Sequence, residues 1–380
     1  MTVARSDYGH LTPLLREVAA DPALDLRLFV SGAHLAERFG RTERLIIADG
    51  WTIDERVLML EDDDSPAAVA RALGRGIAGF ATALTRRPVD LLVVLGDRFE
   101  MLAAALAALP HALPVAHIHG GELSEGAVDE SIRHALTKLA HFHFVSAEPH
   151  ARRLRQLGEE AWRVHCTGAP GLDRFRTMRF LSREALAARL GVALVPPVVV
   201  VAFHPVTLQL GDTARHIGEL TAALAGMDAT WIVTYPGADA GHRTVLDGLE
   251  TFAGRASRAR LLPSLGDDVF ASLLREADAM VGNSSSGLME APSFALPVVN
   301  IGDRQRGRLR AGNVIDVPPD RAAVAAGLAR ALDPAFRDSL RGMTNPYGDG
   351  EAAPRIVKVL AGVELGPRLI TKRFVDLPAP

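Results

Sequence analysis

The chain has almost no cysteine. Cys166 is the only one in 380 residues, which excludes an intrachain disulfide framework and a cysteine-based zinc site. Such sparing use suits a reducing compartment, so a cytoplasmic location is expected. Charge of one sign is also missing: 42 Lys and Arg stand against 45 Asp and Glu, a formal net charge of −3 and a pI near 6.5. Without a global basic field the chain is not built to hold nucleic acid or an anionic membrane, although a local basic pocket remains open to it. No apolar run reaches the roughly 18 residues of a membrane span, the richest being 102–109. The opening Met1-Thr-Val-Ala-Arg-Ser-Asp-Tyr-Gly has no apolar stretch of the secretory kind.

What is present is an average globular composition, 48% apolar and 23% charged. At about 150 residues per domain this length predicts two domains. Short apolar runs rich in Val, Ile and Leu predict strands at 26–30, 91–95, 115–118, 142–145, 164–167, 198–203, 231–235, 280–282, 298–301 and 314–317. Helical patterns lie between them, for example 66–84, 99–108, 128–140, 217–225 and 322–332. Repeated βα units mean parallel sheets, so the fold class expected is α/β, with two Rossmann-like doubly wound domains facing a cleft. The break falls within 175–197, dividing an N-terminal domain of 1–178 from a C-terminal one of 190–349. Before the polar stretch Arg5-Ser-Asp-Tyr-Gly, read as a loop, only Thr2-Val-Ala is left for a first strand, which is unusually short.

A Gly-x-Gly-x-x-Gly spacing at Gly74, Gly76 and Gly79 interrupts an Ala/Leu/Arg helical run instead of joining a strand to a helix, so no nicotinamide cofactor is expected. The residues after the strands carry more information. Gly96-Asp97-Arg98-Phe99-Glu100 follows 91–95, and His119-Gly-Gly-Glu122 follows 115–118, leading on to Asp129-Glu130 and Arg133. His204-Pro205 follows 198–203, Pro236-Gly-Ala-Asp239 follows 231–235, and Asn283-Ser284-Ser285-Ser286-Gly287 with Glu290 follows 280–282. Polar residues gathered repeatedly beyond apolar strands are what a cleft enzyme needs.

Hydroxyls and free N–H groups where a helix begins, here expected near Leu288, bind phosphate, and Glu290 is placed to accept from ribose hydroxyls. Arg304, Arg306, Arg308 and Arg310 follow the next strand and offer cations to a diphosphate. The plainer alternative is a serine N-cap beside a solvated basic loop. Asp97, Glu122, Asp129 and Glu130 form an acidic group able to divide acid and base roles. Asp97 is equally suited to cap the following helix, and Asp129 and Glu130 to complement a helix dipole. His204, before a proline at a strand end, has no structural reason to be imidazole. His34 reads equally as ligand or packing. His141 and His143, two residues apart, match no helical zinc motif, so packing is expected for at least one, and no metal site is assigned.

Arg5-Ser-Asp-Tyr-Gly, Gly-Asp-Arg-Phe-Glu-Met, His-Ile-His-Gly-Gly-Glu, Ile-Arg-His-Ala-Leu-Thr-Lys-Leu-Ala-His, Phe-His-Pro-Val-Thr, Gly-Asn-Ser-Ser-Ser-Gly and Asn-Ile-Gly-Asp-Arg-Gln-Arg-Gly-Arg occur in this order from residue 5 onward. Together they resemble the hydrolysing UDP-N-acetylglucosamine 2-epimerases of sialic- and legionaminic-acid pathways. The resemblance implies a glycosyltransferase-B fold whose C-terminal helix, about 350–380, rejoins the first domain, and a homodimer or homotetramer. It implies loss of the C2 proton with anti elimination of UDP to a 2-acetamidoglucal, then hydration to a free N-acetylmannosamine-type sugar, without metal or cofactor. Ser284, Ser285, Arg304 and Arg5 would hold the diphosphate and nucleotide, with Glu290 on the ribose. Asp7, His34, Arg133, Asp239, Asn283, Ser286 and Gly287 complete the implied binding set. Asp97, Glu122 and Asp129 or Glu130 would supply acids and bases, and His204 a leaving-group contact or a proton.

Two positions depart from the family pattern. His119 stands where some relatives carry a carboxylate and so becomes a candidate base itself, and His10 replaces a common lysine. The Gly-Thr-Arg-Pro-Glu and His-x-Glu-Ala-Gly segments of non-hydrolysing epimerases are absent, which favours hydrolysis. A glycosyltransferase of the same fold and a non-catalytic sugar-nucleotide binding protein are the competing readings. Uridine or guanosine, and the substituents at sugar C4 and C6, stay open.

Overall fold

The computed structural model describes residues 1–63, 65–125, 128–236, 241–263 and 265–376. The chain divides into two compact units, one of Met1–Glu122, Val128–Arg176 and Tyr347–Pro380, the other of Leu123–Ala127 and Thr177–Pro346. All strand pairs described are parallel. No described helix is long and apolar enough to cross a membrane.

The first unit holds β1 (Phe29–Ser31) paired with β2 (Glu55–Val57), and a four-stranded sheet in the order β3 (Leu92–Leu95), β4 (Val115–Ile118), β5 (Phe142–Val145), β6 (Val164–Cys166). Residues 1–4 sew these two sheets together. Thr2 bridges Val30 in parallel, and the Met1 amine donates to Val93 O at 3.0 Å. The short first strand is therefore a seam, and the order along it is that of a doubly wound sheet. The stretch read as a polar loop is the first turn of a helix, Arg5–Ala20, and the strand expected at 26–30 is confined to β1. The three glycines at 74–79 lie inside the helix Pro66–Arg86. There a Cβ on Gly76 would fall 2.6 Å from Met59 Cε and 2.9 Å from Ala103 Cβ, so that glycine serves close packing. The core of the unit gathers Phe80, Val94, Met101, Ile118, Leu136 and Phe144 with Ile356 and Leu360.

The returning segment is tied down by polar contacts. Asp173 accepts from Ala352 N and Ala353 N, capping the helix Ala352–Gly362. The fully buried Arg163 donates to the carbonyls of Arg368, Leu369 and Thr371. Lys372 reaches the carbonyl of Ala140 at 2.6 Å and Glu159 at 2.7 Å.

The second unit is one six-stranded sheet, ordered β12 (Val314–Val317), β11 (Val298–Ile301), β10 (Ala279–Gly282), β7 (Val198–Ala202), β8 (Thr230–Thr234), β9 (Ala259–Leu262). Alternate β7 residues feed two separate cores, Val199 and Val201 one, Val198 and Val200 the other, because side chains on a strand alternate between faces. β7 and β10 approach closely: a Cβ on Gly282, whose φ is 140°, would lie 2.0 Å from Ala202 O. β2 and β9 carry no strand signal in the sequence, β2 being three residues with two charges and β9 an edge strand interrupted by Arg260.

Candidate active site

Doubly wound sheets bind ligands beyond the carboxyl ends of their strands, where strand order reverses. In the second unit that point lies between β7 and β10, and in the first between the seam and β3.

At the β7/β10 point a buried amide locks two loops. Asn283 Oδ1 accepts from His204 N at 2.7 Å, and its Nδ2 donates to His204 O at 2.9 Å. Its own carbonyl accepts from Arg304 Nη1 at 3.1 Å and from Gln305 Nε2 at 2.8 Å. Asn283 is 1% exposed and both polar atoms of its side chain are engaged in the clamp. Gln305 was not anticipated, its one signal being a place between Arg304 and Arg306. Burial, and then the Arg304 cation, push the His204 imidazole down to about 3, so it is neutral at physiological pH and offers a hydrogen bond, not a cationic proton.

Ser284, Ser285 and Ser286 are half-buried, and Ser284 Oγ accepts from Ser286 N at 3.4 Å. The helix expected from Leu288 begins at Ser286 and ends at Met289, so Gly287 lies within it. A single turn has a weak dipole, so it is the hydroxyls and N–H groups here that are chemically able to take an anion. Glu290 is buried just beyond that turn. The four arginines separate: Arg310 pairs with Asp316 at 2.6 Å, Arg306 with Glu125 at 3.4 Å, and Arg308 leans on Met289 Sδ. Arg304 is the one fixed beside the His204 loop. Asp239 lies outside the described residues.

In the first unit, Arg5 is exposed at the start of its helix, while the buried Asp7 accepts from Arg98 Nε at 3.2 Å, joining the seam to the loop after β3. Asp97 accepts from the buried Arg133, reached from the helix Asp129–Leu139. It does not cap the helix Phe99–Ala108, whose N-cap position is Arg98 with no side-chain bond. Asp129 and Glu130 open their helix half-buried, and Glu130 meets His134 at 3.1 Å and Arg133 at 3.7 Å. Glu122 is buried after β4, where its Oε1 accepts from His119 Nδ1 at 2.7 Å and Ser146 Oγ at 2.9 Å. Ser146 in turn meets His150 Nδ1 at 3.0 Å. Ser146 and His150 were not anticipated, although Ser146 directly follows β5 and the same post-strand rule points to it.

His34 is 0% exposed, with Nε2 at 3.0 Å from Thr2 Oγ1 and Nδ1 at 2.8 Å from Thr42 Oγ1. His141 accepts from Val115 N and His143 meets Glu159 at 3.0 Å, so both are packed. Among the described residues no group of three or more His, Cys, Asp or Glu is placed to hold a metal ion.

A family model described as UDP-N-acetylglucosamine 2-epimerase matches residues 16–361. The chain is 34% identical over 373 residues to UDP-N,N'-diacetylbacillosamine 2-epimerase (hydrolyzing) of Legionella pneumophila, covering 98% of this chain and 97% of that one. It is 36% identical over 318 residues to GDP/UDP-N,N'-diacetylbacillosamine 2-epimerase (hydrolyzing) of Campylobacter jejuni, covering 83% of each. The structure of UDP-GlcNAc 2-epimerase from Neisseria meningitidis bound to UDP-GlcNAc superposes with a TM-score of 0.81 at 16% identity, over 94% of this chain and 97% of that one. That likeness shows the shared fold.

Proposed function

The chain belongs to the UDP-N-acetylglucosamine 2-epimerase family, and from that premise we propose that it is a hydrolysing member acting on a UDP-linked 2,4-diacetamido-2,4,6-trideoxyglucose. The sugar is the one for which the Legionella and Campylobacter relatives are named. Its C2 epimer is released free, together with UDP. The fold is the glycosyltransferase-B type, with two Rossmann-like doubly wound α/β domains. A cytoplasmic setting and a homodimer or homotetramer belong to the same reading, the assembly being checked by light scattering.

The chemistry sets the demands. The C2 proton is next to no carbonyl, so elimination requires the C1–O bond to weaken early, through stabilisation of the departing diphosphate. In this reading Ser284, Ser285, Arg304 and Arg5 take the diphosphate, Glu290 the ribose, and neutral His204 donates a hydrogen bond to the leaving group. Asp97, Glu122, Asp129 or Glu130, and His119 are the proton-transfer candidates. The observation that carries the proposal is the pair of carboxylates directly after adjacent strands, Asp97 after β3 on buried Arg133 and Glu122 after β4 in its hydrogen-bonded pocket. A glycosyltransferase never breaks the C2–H bond and so does not need several carboxylates near the sugar C2.

The test is incubation with the UDP-linked diacetamido sugar, and separately with UDP-N-acetylglucosamine, in D2O under proton NMR. The expected products are UDP and a free manno-configured sugar deuterated at C2. A deuterated sugar still joined to UDP would establish the non-hydrolysing reaction instead. Unchanged substrates would move the reading to a binding protein.

A further inference from the structure

Beyond β4 the hydrogen-bond network determines where its protons lie. The Glu122 carboxylate accepts only, so the ring atom facing it across 2.7 Å, His119 Nδ1, carries a hydrogen. Ser146 has one hydroxyl hydrogen and donates it to Glu122 at 2.9 Å. It must therefore accept from His150 Nδ1 at 3.0 Å, which fixes the tautomer of His150 as well. His150 is 4% exposed on the helix Glu148–Gln156, its ring 6.1 Å from that of Tyr347. Burial pushes its pKa down to about 4, so it stays neutral. His119 is held by its backbone, N donating to Phe144 O at 3.0 Å, in a left-handed conformation of φ 65°.

Two donors on one oxygen hold the Glu122 carboxylate in place as an acceptor. That carboxylate in turn orients His119. It holds Nδ1–H, which leaves the lone pair on Nε2. We propose that His119 Nε2, oriented by Glu122, is the group that removes the C2 proton, and that Ser146 and His150 are positioning residues that fix the carboxylate. The proposal rests on the hydrolysing-epimerase reading. In the step, the C2–H bond breaks and its proton goes to Nε2. The electron pair becomes the C1=C2 bond, and the C1–O bond breaks with its pair leaving on UDP.

The unusual backbone supplies a clean variant. A φ of 65° suits glycine, so His119→Gly removes the imidazole without opposing the turn. With the UDP-linked diacetamido sugar, kcat is expected to fall by about 10²–10⁴-fold with KM within a few-fold. Imidazole added at tens of millimolar should restore part of the rate, which repacking alone does not do. Ser146→Ala should lower kcat by about tenfold, at unchanged KM and circular dichroism, by freeing the carboxylate. Should His119→Gly fail to fold, His119→Asn tolerates the same backbone and carries no base, and the same loss is expected.

A His119 variant that keeps more than a tenth of wild-type turnover, or a loss that imidazole leaves untouched, would overturn the dyad while the epimerase reading stands. An inert wild-type enzyme on both sugar nucleotides would instead overturn that reading and the dyad with it.

Discussion

Asp97 and Arg133 meet across 36 residues of sequence, a buried guanidinium holding a half-buried carboxylate at the end of β3. Asparagine keeps the shape of Asp97 but neither its charge nor its basicity. Asp97→Asn is expected to reduce turnover by about 10²-fold or more while calorimetric UDP affinity stays within a few-fold. Retained turnover would remove Asp97 from the chemistry. Glu100, three residues on, is 3% exposed with no partner on Oε2, and burial raises its pKa to about 7. Its unfolded value is 4.5, so the folded state holds a proton that the unfolded state has lost. Stability from this residue therefore falls as pH rises from 4.5 through about 7. Glu100→Gln should raise Tm relative to wild type more at pH 8 than at pH 5 by scanning fluorimetry. Equal differences at both pH values would contradict it.

At the scale of the element, Gly282 ends β10 where the strand touches β7. An alanine there would place its Cβ 2.0 Å from Ala202 O, between backbones that cannot part without losing the ladder. Gly282→Ala should cost about 3 kcal/mol or more in urea unfolding, and an unchanged midpoint would refute the close approach. Elements of this kind were legible because β7, β8, β10 and β11 are apolar runs bounded by turn residues. β2 was not, being three residues with Glu55 and Arg56 paired only through tertiary contacts. The helix from Arg5 was hidden by its polar start, its glycine at position 9 and Pro13. The candidate residues divide in the same way. Their placement after the strands could be read from the sequence, because they are contiguous with them. What each side chain does there could not. Asn283 finds His204 79 residues away, and His34 finds Thr2 and Thr42, through contacts that leave no periodic trace.

At the scale of the molecule, burial of imidazoles is a recurring theme. It depresses His34, His141 and His150 to about 4, and His117 and His204 to about 3. Each folded value lies below the ordinary 6.5, so the fold excludes a proton that the unfolded chain accepts. The stability these groups allow is complete above pH 6.5 and is lost as pH falls toward 4. Glu100 and Asp173, both raised by burial, oppose this trend. Tm is expected to decline steadily from pH 6.5 to 4, ahead of most carboxylate titration. A flat profile across that interval would show that the imidazoles are not excluded from water as described.

The first unit is assembled from three stretches of chain, the last of which places Ile356 and Leu360 in its core and hands its carbonyls to Arg163. A ribosome delivers these pieces in sequence order. While residues 177–346 are being synthesised, the earlier part of the first unit waits with an apolar face open and Arg163 without the carbonyls it is shaped for. The second unit has its strands and helices in one unbroken run, Thr177–Pro346, and is able to mature during that interval. Translation pace through the middle of the message, and chaperone cover for the waiting face, thus bear on yield more than either does at the start. The unit made first is the unit finished last.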